Sequence, residues 1–242
     1  MNHWIYNWKK NLLMVVNIFL AVYLFFAITS FNQPVDGNEL VCSQVKIDIK
    51  DAVVDGFLNA NEIKSILQKA KLYPLAQPMD KIDARKIEDV LKSSPFVNDA
   101  QCYKTQMGHV CIQLTQRTPV MRVKAENGDD YYVDNHGGVM PNSKYCSEIM
   151  IATGKVSRQY ACKVLTKLGN TIVKDKFWRN QIVQVNVLAD GTVELVPRVG
   201  EHIIYIGYPN RLTEKLARLE KFYRYGLSEA GWNKYSYINL AF

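Results

Sequence analysis

Metal and redox signatures are scarce in this 242-residue chain. Its five cysteines, Cys42, Cys102, Cys111, Cys146 and Cys162, include no C-x-x-C pair. The four histidines, His3, His109, His136 and His202, stand too far apart to supply metal ligands by local spacing. No G-x-S-x-G, G-x-x-x-x-G-K or H-E-x-x-H occurs, so nucleophile elbows, phosphate loops and zinc hydrolase helices have no local signature. No cofactor is expected. A run of five Lys or Arg is also missing, and the net charge of +7 reads as a solvated basic surface spread among acids rather than a nucleic-acid patch. These absences favour a binding module over an enzyme.

What is present begins with Leu12 to Phe31, twenty residues without a charge, thirteen of them Leu, Ile, Val or Phe. At about 1.5 Å per residue this stretch matches the roughly 30 Å of a bilayer core, and it predicts a transmembrane helix. Asn17 is its one strongly polar side chain, either tolerated or bonded to a partner helix. Lys9 and Lys10 precede the span and the next cation is Lys46, so the positive-inside rule predicts residues 1–11 in the cytoplasm and everything beyond Phe31 outside. The run is too long for a signal peptide, and Thr29-Ser30-Phe31-Asn32 offers no cleavage site.

Residues 32–44, with Pro34 and Gly37, read as a linker. Val45, Ile47 and Ile49 alternate with Lys46, Asp48 and Lys50, the period of a strand with one buried face. Two helices should follow, each with the same entry device. Asn59 with Glu62 forms a capping box, and Leu58 with Ile63 a hydrophobic staple. Asp83 and the Ile82–Ile87 pair repeat the pattern, and Pro95 stops the second helix. The stripe Ile63, Ile66, Leu67 and Ala70 should face inward. A hairpin around Met107 and Gly108 then places Val110, Ile112 and Leu114 in the core. Cys102 and Cys111 could bridge that hairpin, and Cys146 and Cys162 a later unit; small buried hydrophobes are the other reading.

Beyond residue 119 the pattern is mixed and rich in strands. Asp134-Asn135-His136-Gly137-Gly138 is turn chemistry rather than a catalytic pair. Ser157 to Leu168 reads as a helix, Val183 to Val196 as a hairpin turning at Asp190-Gly191, and His202 to Ile206 as a third strand. Leu212, Leu216, Leu219 and Tyr223 make an amphipathic helix with Glu214–Arg218 and Glu220–Arg224 pairs outside. Tyr235 to Phe242 reads as a closing strand whose Ile238, Leu240 and Phe242 fill the core while Tyr235, Tyr237 and Asn239 face away. At the sheet's edge such a strand could accept one from another protein.

The β-α-α-β-β order, Ser94-Pro95-Phe96-Val97 and Gln116-Arg117-Thr118-Pro119-Val120 together resemble a POTRA domain. Following a single span and preceding a second unit with Asp134…Gly138-Val139-Met140-Pro141, the set resembles the FtsQ/DivIB family of bacterial cell-division proteins. Tyr237-Ile238-Asn239-Leu240-Ala241-Phe242 is similar to the family's Y-x-D-L-R-Y, with Asn239 and Ala241 departing from it. The resemblance implies an α+β architecture: tail 1–11, span 12–31, linker 32–44, POTRA domain 45–118 and β domain 119–242. It implies a non-catalytic scaffold at the division site, binding FtsB/FtsL-type subunits through Tyr235, Tyr237, Ile238, Asn239, Leu240 and Phe242 with Arg218 and Tyr223 of the preceding helix. Other divisome proteins would dock on the POTRA domain. Another POTRA-bearing envelope component and a membrane-anchored enzyme are the alternatives.

Overall fold

The computed structural model describes residues 2–31, 40–50, 58–143 and 149–242. Helix α1, Asn2–Phe31, runs unbroken through the apolar stretch and also takes in most of the expected tail. Its section Lys10–Ser30 has a mean hydropathy of 2.5 and none of its side chains is buried, so among the described residues one helix is long and apolar enough to cross a membrane. Thr29 turns its hydroxyl back to the carbonyls of Phe25 and Phe26, hiding its own donor within the helix.

The first unit is built from β1 (Gln44–Lys50), α2 (Ala60–Lys69), α3 (Ala84–Lys92), β2 (Val97–Lys104) and β3 (His109–Gln116). Both helices start as their sequences predict. The Asn59 side chain accepts from the Glu62 N–H while the Glu62 carboxylate accepts from the Asn59 N–H, and Asp83 accepts from Lys86 N–H. Their buried faces, Ile63 and Leu67 with Ile87 and Leu91, meet Val110, Ile112 and Leu114 of the central strand. Each such side chain is worth roughly 1.5–3 kcal/mol of burial. Ala70, by contrast, is exposed, because the helix has already ended at Lys69. The strand order is β1-β3-β2, with β1 parallel and β2 antiparallel to β3. Residues 40–43, expected in the linker, are packed instead: Cys42 is buried, its N–H donates to Gln77 O, and Val41 bridges Pro78.

The register also corrects the hairpin disulfide. Cys102 stands opposite Ile112 and Cys111 opposite Tyr103, so the two side chains leave the ribbon on opposite faces. Cys146 lies outside the described residues, and with it the Cys146–Cys162 pairing.

The second unit is one mixed sheet of eight strands. It comprises β4 (Pro119–Ala125), β5 (Asp130–Asp134), β6 (Val139–Pro141), β7 (Ile151–Gly154), β8 (Ile182–Val187), β9 (Val193–Pro197), β10 (Ile203–Gly207) and β11 (Tyr237–Asn239), in the order β11-β10-β9-β8-β7-β4-β5-β6. Ser157 caps a helix over 158–174, longer than its sequence suggests and interrupted by a π turn, Ala161–Leu165. A short helix, Lys176–Gln181, and a second long one, Leu212–Lys221 continuing through a π turn to Phe222–Leu227, complete the layer. Leu165, Leu168, Ile172, Trp178, Leu216, Leu219 and Tyr223 cover Val123, Ala152, Val185, Leu195, Ile204 and Ile206 on one sheet face. Gly154 ends β7 at φ +88°, and a Cβ there would lie 2.2 Å from Val187 O, so the position accepts only glycine.

The opposite face carries a polar ladder. Gln184 Nε2 donates to Thr153 Oγ1, which donates to Asn186 Oδ1, and Asn186 Nδ2 donates to Glu194. At its far end, Tyr132 and Met140 pack against Phe96 of the first unit.

Candidate functional site

Strand β11 lies at the end of the eight-stranded order and, among the described residues, pairs with β10 alone, in parallel, Ile203 opposite Tyr237 and Tyr205 opposite Asn239. The Ile203 N–H donates to Ser236 O at 3.0 Å and the Leu240 N–H to Tyr205 O at 2.8 Å. Backbone groups of a strand alternate in direction, so Ser236, Ile238 and Leu240 turn theirs toward β10, while Tyr237 and Asn239 turn theirs toward the open edge. That phase is not visible in the side-chain pattern. Beyond Asn239 the edge is blunted, because the Ala241 N–H is taken by Asn239 Oδ1 at 2.9 Å.

The side chains sort less neatly than expected. Ile238 is buried and Leu240 packs on the core, but Phe242 is 89% exposed and contributes nothing to it. The strand is only Tyr237–Asn239, with Ser236 adding one carbonyl contact to β10, since Gly231 and the turn after it keep Trp232 to Tyr235 off the sheet. Tyr237 is exposed and stacks on Tyr205, centroids 6.0 Å apart and 23° between planes. Partial burial, Glu194 and Tyr205 raise the Tyr237 phenol above its ordinary value. Tyr205 was legible in principle, as the outward residue of the strand after Gly200. Tyr235 meets Phe222 edge-on at 5.6 Å.

Of the two helix residues expected here, Arg218 is exposed. Tyr223 is not a surface residue: it is 2% exposed and its hydroxyl sits 2.6 Å from His202 Nε2. Burial raises its phenol strongly. Its ring contacts Trp178 and Trp232, so Tyr223 braces the segment that leads into β11 from beneath. Glu214 pairs with Arg211 rather than Arg218, because Arg211 at φ +49° folds its side chain over the first helical turn. Glu220 and Arg224 pair as expected.

Elsewhere the titratable groups serve structure. Asp134 is buried and accepts from Arg117 and from the His136 and Gly138 N–H groups, which fixes the turn. Among the described residues no group of three or more His, Cys, Asp or Glu is placed to hold a metal ion.

Comparison with protein families matches residues 40–115 to a POTRA-like domain and residues 118–242 to the family described as FtsQ/DivIB, C-terminal related. Curated proteins give no match. The second match covers more than half of the chain, and between the two matches stand only Gln116 and Arg117, where the two sheets touch. The chain belongs to the FtsQ/DivIB family of cell-division scaffolds, with one apolar helix ahead of a POTRA domain and a β-rich domain.

Proposed function

We propose that this protein is a bitopic scaffold of the divisome that recruits FtsB/FtsL-type subunits by strand addition at β11, and so helps control septal peptidoglycan synthesis. The observation that carries the reading is the position of β11 at the sheet's edge, with the backbone of Tyr237 and Asn239 facing outward. A strand laid there gains main-chain hydrogen bonds, and the Tyr205–Tyr237 stack with Tyr235 supplies aromatic anchors beside it. Ile238 and Leu240 hold the edge to its own core. Arg218, on the preceding helix, adds a cation to the same end of the domain, and exposed Phe242 is free to close over the added strand.

The lysines before the span support an N-terminus in the cytoplasm with both domains outside, and membership of a cell-division family supports the division site of the inner membrane as its location. Further divisome proteins dock on the POTRA domain. The groove formed by Leu58, Ile66, Pro95 and Phe96 beside Lys69 supports this.

The test uses backbone phase. Asn239→Pro removes an outward N–H at an edge where the sheet tolerates proline, and it should abolish binding of an FtsB-type segment while the thermal transition of the full chain survives. Ile238→Pro acts on the inward ladder and should lower the transition itself. Unaltered affinity in Asn239→Pro would remove the strand-addition reading.

A further inference from the structure

The chain's positive charge is not spread evenly. Between residues 155 and 181 stand Lys155, Arg158, Lys163, Lys167, Lys174, Lys176 and Arg179 against the single acid Asp175. All seven cations are exposed. Lys163, Lys167 and Lys174 run along the outer side of the helix over 158–174, opposite the buried Ala161, Leu165, Leu168 and Ile172. Arg158 is paired with Asp129 at 3.4 Å. Among the described residues Lys163, Lys167, Lys174, Lys176 and Arg179 form no ion pair, whereas the other long helix of the domain pairs Arg211 and Arg224 with its own acids. Asp175 is occupied in capping the helix that follows.

We infer that this lysine face is a contact surface for the anionic headgroups of the bilayer in which the protein is anchored. Two observations choose lipid over an acidic protein segment. Protein interfaces centre on desolvated aromatic, Met or Arg anchors and are depleted of Lys. Here no large hydrophobic side chain is exposed among the described residues from Met140 to Arg198, so the face offers charge without an anchor. Lysine ammonium groups on flexible stems suit a fluid surface of phosphates that needs no shape match. The second observation is reach. Eight residues separate Phe31 from Leu40, a tether of at most about 30 Å, which keeps the first domain near the membrane and the second one domain away. Strand β4, under this helix, is separated by three strands from β10 and by four from β11, so lipid contact leaves the partner edge open.

The face works by proximity: each lysine entering the headgroup layer strengthens the contact roughly fivefold, an effect that salt screens beyond about 10 Å at 0.1 M. The result is a domain held at a set height and tilt over the membrane, with its β11 edge aimed at neighbours embedded in the same bilayer.

The experiment is lysine footprinting of the full chain in nanodiscs of phosphatidylcholine alone or with phosphatidylglycerol, read by mass spectrometry against Lys64 and Lys86 as internal references. Lys163, Lys167 and Lys174 should lose reactivity severalfold relative to the references in the anionic discs only, and regain it in high salt. The Lys163→Glu/Lys167→Glu/Lys174→Glu variant should keep its thermal transition, and its remaining Lys176 should show no lipid-dependent protection. Equal reactivity in both discs would overturn the inference. If soluble polyglutamate protects these lysines in neutral discs while phosphatidylglycerol does not, the face belongs to an acidic protein segment and the inference also falls. Neither result touches strand addition, which Asn239→Pro tests separately.

Discussion

Arg117 and Asp134 meet at 2.7 Å across the junction of the two sheets, the carboxylate almost fully buried and the guanidinium about four-fifths so. Arg117 also donates to Pro95 O at 2.9 Å and to Val139 O at 3.3 Å, so one side chain ties the end of the first unit to the β5–β6 turn of the second. Removing the cation leaves a buried carboxylate without its partner. Arg117→Ala should therefore cost about 3 kcal/mol, and Arg117→Lys less, since the ammonium keeps a cation beside the carboxylate although it cannot make the paired contact. Urea unfolding checks this, and a loss below about 0.5 kcal/mol would mean solvent reaches Asp134 in solution.

His202 predicts an acid-side loss of stability. Burial holds its imidazole below the ordinary 6.5, and its Nδ1 has no hydrogen-bond partner among the described residues. Below pH 6.5 the unfolded chain then binds a proton that the folded chain refuses, so stability should fall as the pH drops below that value and stay flat from pH 7 to 8 as far as this residue is concerned. Melting temperatures from pH 5 to 8 measure the slope. His202→Leu should flatten it while lowering stability at pH 8, because the Tyr223 hydroxyl loses its partner.

Cys102 and Cys111 should differ sharply in reactivity. Burial, with Glu88 nearby, pushes the Cys102 thiol up to about 11, and the thiolate is the form that alkylates. In the folded protein iodoacetamide at pH 8 should modify half-buried Cys111 well before Cys102, and urea should erase the difference. Peptide mapping that finds a Cys102–Cys111 disulfide in folded protein would contradict the β2–β3 register.

Lys215 is a cation used as a clamp. Buried on the last long helix, its ammonium donates to Ile206 O, Tyr208 O and Asn210 Oδ1, which secures the loop entering that helix next to Arg211 in its left-handed conformation. Lys215→Met keeps the aliphatic stem and strands those oxygens, for an expected loss of about 2–4 kcal/mol. Hydrogen exchange over residues 206–211 should quicken as well, which a uniform loss of packing would not single out.

Local signals carried much of this architecture. The Asn59–Glu62 box, the Asp83 cap and the alternation of Val110, Ile112 and Leu114 are encoded within a few residues, and each stands where the sequence puts it. Long-range pairing was not legible. Nothing near Cys102 announces that its cross-strand neighbour is Ile112, and nothing in Tyr235 to Phe242 says that sheet pairing lasts only three residues. Tyr223 shows the limit best. A tyrosine on an amphipathic helix suits either a surface anchor or a core with a polar tip, and a histidine twenty-one residues earlier decided for the core. The lysine face escaped notice for a related reason: a whole-chain charge balance averages away a cluster confined to one helix.

The parallel match of Gln44 with His109 has a consequence for how the protein is made. A ribosome delivers β1 first, and its neighbour β3 follows 65 residues later, so the earliest strand waits through the synthesis of both helices and β2 before it can join anything. The short charged stagger Lys46, Asp48, Lys50 keeps that waiting strand soluble and discourages it from pairing with another nascent chain.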